Sequence, residues 1–180
     1  MAMVGLFWFA EDGGVYIGAE PEGNGRAVRL TRDGVQGLGG EQRGEWGWAD
    51  VRSVVVRDVR IRSARRLVAT AAVDIALSLA QMGGDMPGVF EVHVETVDGT
   101  TVELDAYMTA ATGGYVQSEY DLSVALLDRI VDGTVDVGVL EEWGREHAVE
   151  GTRRREEREA LLRTWAEGCA VRHRRGGYGP

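Results

Sequence analysis

Apolar and polar positions alternate with a period of two through the first half of the chain, and glycine, aspartate and asparagine interrupt the alternation at short intervals. That rhythm predicts short β-strands joined by tight turns. Residues 6–9 (Leu-Phe-Trp-Phe) read as the first strand, 11–14 (Glu-Asp-Gly-Gly) as a turn and 15–19 as the second strand. Residues 21–25 are a loop of turn-tolerant types. Residues 27–31 and 35–38 flank Arg32-Asp33-Gly34, where Asp-Gly marks a hairpin. Residues 45–48 and 51–61 complete the run, with Ala49 and Asp50 as a tight connection.

The two-residue period breaks at residues 64–82, an Ala- and Leu-rich segment with high helix propensity. Thr70, Asp74, Ser78 and Gln81 recur at helical spacing and form one narrow polar stripe, which predicts a mostly buried helix. Its apolar stretch, residues 67–82, is about 16 residues long and shorter than the roughly 20 a bilayer span needs. Gly83-Gly84 and Pro87 end it.

Alternation returns at residues 90–96, with Phe90, Val92, Val94 and Thr96 on one face. A loop of Val97, Asp98 and Gly99 pairs Val94 with Val102 and Val92 with Leu104, which keeps both apolar sets on the same side. A two-residue loop would pair Val94 with Glu103. The buried face therefore selects a type I turn closed by a left-handed Gly99. Ser118 is placed as the N-cap of an amphipathic helix whose apolar line runs through Leu122, Leu126, Leu127 and Ile130 and stops at Gly133. Val139, Leu140 and Trp143 suggest a further helix, and Thr152 the cap of another carrying Leu161, Leu162, Trp165 and Cys169. Residues 173–180 show no packing pattern and are expected to be a flexible tail.

Composition narrows the setting. All 20 basic residues are arginine and none is lysine, which is a codon signature of a GC-rich genome rather than a sign of phosphate chemistry. The formal net charge of −9 argues against general nucleic-acid binding. With one cysteine, no basic leader, an N-terminal apolar run too short for a signal peptide and no helix long enough to span a membrane, a cytoplasmic location is expected. Charge is also segregated along the chain. Residues 52–66 carry six arginines against Asp58, residues 85–150 carry fifteen acids against Arg129 and Arg145, and residues 151–180 carry eight arginines against four glutamates. These blocks can neutralise one another within one fold, or leave a charged surface for a partner.

Seven strands followed by a capped amphipathic helix resemble the pleckstrin-homology-like fold, including its bacterial and GRAM-type members. The segment Val28-Arg-Leu-Thr-Arg-Asp-Gly34, then Trp48-Ala-Asp-Val51 and residues 54–56, resembles the middle strands of such domains. Residues 90–104 and 118–131 resemble their last hairpin and closing helix. The layout is also similar to that of actinobacterial proteins, in keeping with the missing lysine. The resemblance implies an α+β domain over residues 1–135: a seven-stranded antiparallel barrel or sandwich with a closing helix, an inserted helix near 64–82, and a helical arm over 136–172. It also implies a binding scaffold for a phosphoinositide, protein or peptide. No ligand residue carries over, because Glu11 and Asp12 occupy the loop where a basic lipid motif would stand.

The most chemical constellation is Glu91, His93 and Glu95 on one strand face, with Glu103 and Asp105 opposite. Carboxylates beside an imidazole can hold a divalent metal or share a proton. Alternation produces such faces routinely, and a solvated face paired with Arg60 and Arg62 is the preferred reading, so neither a metal nor a cofactor is expected. His147 and His173 have no nucleophile at motif spacing, and Cys169 sits on an apolar helix side as a packed thiol. No phosphate-cradling or dinucleotide glycine motif is present. Phe7, Phe9, Trp46 and Trp48 are read as core.

These features favour a non-enzymatic binding or scaffold domain with a protein partner or a second copy of itself. Leu140, Trp143, Arg153, Arg154, Arg155, Leu162 and Trp165 of the arm are the expected contact residues, because the strand-and-helix pattern is complete by Val131; the arm's large apolar residues must dock on the body, on a second copy or on another protein. A membrane surface engaged by the arginines of residues 52–66 is the second choice, and an enzyme centred on His93 the third.

Overall fold

The structure is a computed structural model that describes residues 1–62, 88–108 and 115–167. Six strands follow one another as an antiparallel meander: β1 (Ala2–Val4), β2 (Phe7–Phe9), β3 (Val15–Ile17), β4 (Ala27–Leu30), β5 (Gly34–Leu38) and β6 (Gly44–Gly47). A second antiparallel sheet is built from β7 (Val51–Arg57), β9 (Val89–Thr96) and β10 (Thr101–Tyr107), in the order β10-β9-β7. The short β8 (Ile61–Arg62) pairs in parallel with β11 (Tyr115–Val116). Helices α1 (Gln117–Val131), α2 (Val137–His147) and α3 (Arg155–Ala166) complete the chain, with a 3-10 turn at Ala148–Glu150. The architecture is α+β with mostly antiparallel sheets.

Strand number and closure differ from the expected seven-stranded barrel. Eleven strands occur among the described residues, and the two larger sheets do not close into a barrel. Two backbone positions account for part of the difference. Gly5 adopts φ +59°, so the N-terminal apolar run folds back as the β1–β2 hairpin instead of extending as one strand. Asp58 adopts φ 57°, a left-handed conformation that breaks residues 51–61 into β7 and β8.

Register within the sheets follows burial. Val94 faces Val102 and Val92 faces Leu104, with His93 opposite Glu103 and Glu91 opposite Asp105. The loop is the expected one of three residues, and Gly99 sits at φ +88°. The Asp33-Gly34 signal also lies in a hairpin, where Thr31 N–H donates to the Gly34 carbonyl at 2.9 Å.

One core unites the sheets and all three helices. Phe7, Phe9, Ile17, Leu30 and Val35 from the first sheet meet Val54, Val92, Val94 and Leu104 from the second, and Leu126, Leu140 and Leu162 join the same cluster. Trp46 and Trp48 pack half-buried against it, and the Trp48 indole N–H donates to the Thr31 carbonyl at 2.9 Å. The helices dock through β1, β2, β3 and β7: α1 lies against β7 and α3, α2 against β2 and β3, and α3 against β1.

The C-terminal helices are therefore part of the core rather than an arm attached to a finished domain. Phe9 explains why. It belongs to the first strands, yet its ring packs edge-on against Trp143 at 4.8 Å and tilted against Trp165 at 5.9 Å. Without α2 and α3 this fully buried ring would face water, at a cost of about 2 kcal/mol or more. Gly144 lets α2 approach closely, since a Cβ there would stand 3.0 Å from the Phe9 ring.

Two expected caps are also placed differently. Ser118 lies inside α1, where β11 runs directly into the helix. Its hydroxyl donates to Glu159 Oε1 on α3 at 2.7 Å. Thr152 precedes the N-cap of α3, which is Arg154, and its Oγ1 instead accepts the Met3 N–H at 3.2 Å. Gly133, at φ +75°, ends α1 as expected. The helix expected near 64–82, Cys169, His173 and the tail over 173–180 lie outside the described residues.

Candidate functional site

Residues 39–43 connect β5 to β6, and their backbone passes over the seam where the two larger sheets meet. Gly39 must be glycine here. Its φ is +76°, and a Cβ would stand 2.0 Å from the Gly25 carbonyl oxygen of the facing loop. Gln42 then reaches across the seam. Its Nε2 lies 3.2 Å from the Ala27 carbonyl, 3.0 Å from that of Leu38 and 3.0 Å from that of Asp105. Its Oε1 accepts the Asp105 N–H at 2.9 Å. The side-chain amide thus exchanges donor and acceptor with β10 as a backbone neighbour would, and shares its two hydrogens among three carbonyls. An Arg26–Asp105 ion pair bridges the same seam.

This loop separates two open grooves. The larger, about 630 Å³, lies on the outer face of the first sheet and is lined by Pro21, Asn24, Gln36, Leu38, Arg43 and Glu45. The smaller, about 320 Å³, lies along the seam and is lined by Arg26, Glu41, Trp46, Glu103 and Asp105. Arg43 borders both. Among the described residues, the side chains of Asn24, Gln36, Glu41, Arg43, Glu45 and Glu103 make no hydrogen bond or ion pair. Polar groups idle within the chain along two adjoining grooves can bind a ligand without first breaking internal bonds.

The larger groove continues a cross-strand row on the same sheet face. Register places Trp8 beside Tyr16, Tyr16 beside Arg29, Arg29 beside Gln36 and Gln36 beside Glu45. The Arg29 guanidinium stands over the Tyr16 ring at 5.9 Å. Burial raises the Tyr16 phenol above its ordinary range, and Arg29 partly opposes that shift. Tyr16 thus stays neutral and packed, while the charged end of the row lies at the groove.

The acidic face singled out by sequence lies on the outer side of β9 and β10. His93 Nε2 is 2.8 Å from Glu91 Oε2. Glu95 pairs with Arg52 at 2.9 Å and accepts the Ser53 hydroxyl at 3.2 Å, while Glu103 is exposed. Among the described residues no group of three or more His, Cys, Asp or Glu converges as a metal site. The neighbouring arginines are Arg52 and, opposite Glu91 in register, Arg57. They stand in place of the expected Arg60 and Arg62, because after the break at Asp58 Arg62 lies in β8, which pairs with β11, and the carbonyl of Arg60 just before it accepts the Tyr115 N–H.

The arm residues are placed by the core. Leu140 and Leu162 are fully buried and Trp165 nearly so, which corrects the expectation that they face a partner. Trp143 packs on Phe9, Trp165 and His147. The basic run is largely neutralised in place: Arg153 pairs with Glu150 at 2.8 Å and stands over the Trp143 ring, and Arg155 pairs with Glu159 at 2.8 Å. Arg154 alone of the three is exposed without a partner among the described residues.

Sequence reading missed Gln42, Glu119, Ser123 and Arg158. On α1 the buried stripe runs through Glu119, Ser123, Leu126, Leu127 and Ile130, so two polar residues occupy positions that an apolar-only scan skips. Their spacing was the available signal, since 119, 123, 126 and 130 share one helix face. Arg158 reaches Glu119 at 2.7 Å. Ser123 donates to the Glu119 carbonyl at 2.6 Å and accepts the Leu6 N–H at 3.1 Å, which ties the β1–β2 turn to α1.

No described helix is long and apolar enough to cross a membrane. Comparison of the chain with protein-family models, with curated proteins and with solved structures gave no match.

Proposed function

We propose that the chain is a binding domain of pleckstrin-homology-like layout that engages a protein partner at the seam between its sheets rather than performing chemistry. The observation that carries this reading is the pair of grooves on either side of residues 39–43, lined by polar side chains that make no hydrogen bond or ion pair among the described residues. The layout supports it as well: a meander, a second sheet ending in the β9–β10 hairpin, and the following helix α1 packed on β7. Gln42 and the Arg26–Asp105 pair hold the loop, so binding would not have to order it first. The helical arm has a supporting role in this reading, because its apolar residues are already buried.

The test is photo-crosslinking in the native host, with the reactive residue placed at Gln36 or Arg43 and, as a control, at exposed Val149 in the 3-10 turn beside β1, the strand at the opposite edge of the six-stranded sheet. The expected result is one protein captured from the groove positions and not from the turn. That protein, once purified, should bind the wild-type chain and bind Arg43→Glu more weakly by about tenfold, roughly 1.4 kcal/mol. Equal binding to Arg43→Glu, or capture from the turn alone, overturns the proposal. Co-sedimentation with anionic vesicles, without any groove capture, would replace it with a membrane-surface role for Arg52, Arg57, Arg60 and Arg62.

A further inference from the structure

β6 is the last strand of the six-stranded sheet and pairs only with β5 among the described strands. The Trp48 N–H donates to the Asp33 carbonyl. Hydrogen-bonded and non-hydrogen-bonded pairs alternate along an antiparallel ladder, so Val35–Trp46 falls in a hydrogen-bonded pair, and Gly34–Gly47 and Gln36–Glu45 in the other kind. The backbone N–H and C=O of Glu45 and the N–H of Gly47 therefore point away from β5 and are open to an added strand, while the Gly47 carbonyl accepts the Asp50 N–H at 2.8 Å. The two grooves flank this same edge from opposite faces of the sheet. Glu45 lines the outer groove, while Trp46 lines the seam groove, its ring lying back over Gly44.

We propose, resting on the binding role above, that β6 accepts an extended basic segment of the partner protein as an added antiparallel strand. Successive side chains of a strand point to opposite faces, so its residues would enter the outer groove and the seam groove in turn. Charge selects the occupant. Among the described residues, the side chains around the edge without a hydrogen bond or ion pair are the carboxylates of Glu41, Glu45, Asp50 and Glu103 against the guanidinium of Arg43, and Arg26 is already held by Asp105. A segment carrying arginine or lysine is attracted. A second copy of this chain would bring the same acids against themselves and is disfavoured.

The experiment is an amide NMR titration of the full chain with a synthetic peptide of alternating arginine and valine. Two further peptides accompany it: the same sequence with alternate backbone amides N-methylated, and an alternating glutamate–valine peptide. The expected result is a saturable shift of the Glu45, Trp46 and Gly47 amides with the first peptide, weakened by at least about tenfold with the other two. On the protein side, Glu45→Pro removes an outward N–H without costing a β5–β6 hydrogen bond and should abolish the shift at Gly47. Glu45→Gln keeps the N–H and should retain the shift, at reduced affinity. If Glu45→Pro fails to fold, the N-methylated peptide still separates strand pairing from charge attraction.

Equal shifts with the N-methylated peptide, shifts confined to other surfaces, or none at β6 up to the solubility of the peptide overturn the proposal. So do shifts at β6 on concentrating the chain alone, which would mark self-pairing. Groove capture in the crosslinking test combined with failure here means that the partner occupies the grooves without adding a strand. Failure of both removes the binding role itself.

Discussion

Arg158 on α3 closes on Glu119 of α1, with Nη2 2.7 Å and Nε 3.0 Å from the same carboxylate oxygen, and Glu119 is 2% exposed. Arg158 also donates to the Arg153 carbonyl at 2.6 Å, which fixes the guanidinium from both sides. A buried charge is costly once its partner is gone, so removing one side alone is worse than removing both. Arg158→Ala should lower stability by about 3–5 kcal/mol in denaturant unfolding. The double variant Arg158→Ala with Glu119→Gln should recover part of that loss. Single-variant losses that simply add in the double variant would mean that the pair is not coupled.

The same carboxylate gives a pH signature. Burial raises the Glu119 pKa above the ordinary 4.5, and Arg158 opposes without cancelling that shift. A raised folded-state value means that the group's favourable contribution is fully present below the unfolded pKa and is lost as pH rises through the folded one. The stability of the wild type relative to Glu119→Gln should therefore improve as pH falls from neutrality toward 4.5. Glu159 runs the other way. The Ser118 hydroxyl and then Arg155 hold its pKa below the ordinary range, so its contribution is present above the unfolded pKa and fades as pH falls through the depressed value. Carboxyl NMR titration, with unfolding curves of wild type and Glu119→Gln across that window, reads both. A Glu119 midpoint at or below the ordinary value would contradict this account.

Docking of the C-terminal helices in the core predicts that they cannot be removed cleanly. Leu162→Ala should cost about 2–5 kcal/mol and Trp165→Ala about 3–5 kcal/mol. Truncation at Gly151 should expose Phe9 and Trp143 together and abolish cooperative thermal unfolding. Arg154→Ala, at an exposed position with no partner among the described residues, should change stability by less than about 0.5 kcal/mol. A truncated chain that keeps the wild-type melting transition would mean that α3 does not belong to the core.

Much of the local structure was legible in the chain itself. Alternation at residues 90–104 determined which faces are buried, and that choice alone set a three-residue loop and the Val94–Val102 register, because a slip of one residue would bury Glu103. Gly99 and Gly133 marked the positions where the backbone turns left-handed. Phe7 and Phe9 were recognisable as core from their spacing. In each case the signal lies within a few residues of its consequence.

Only the tertiary structure decided where apolar and polar faces find their partners. The pattern of Leu140, Trp143, Leu162 and Trp165 requires burial but does not say against what, since hydrophobic attraction is non-directional and any apolar surface satisfies it. The fold supplies Phe9, more than a hundred positions earlier in the chain. Gln42, Glu119 and Arg158 look like surface residues by type, and their roles depend on carbonyls and charges that distant segments bring within hydrogen-bond range. The break at Asp58 is equally silent in the sequence, because a left-handed aspartate carries no periodic signature and persists where the surrounding contacts hold it.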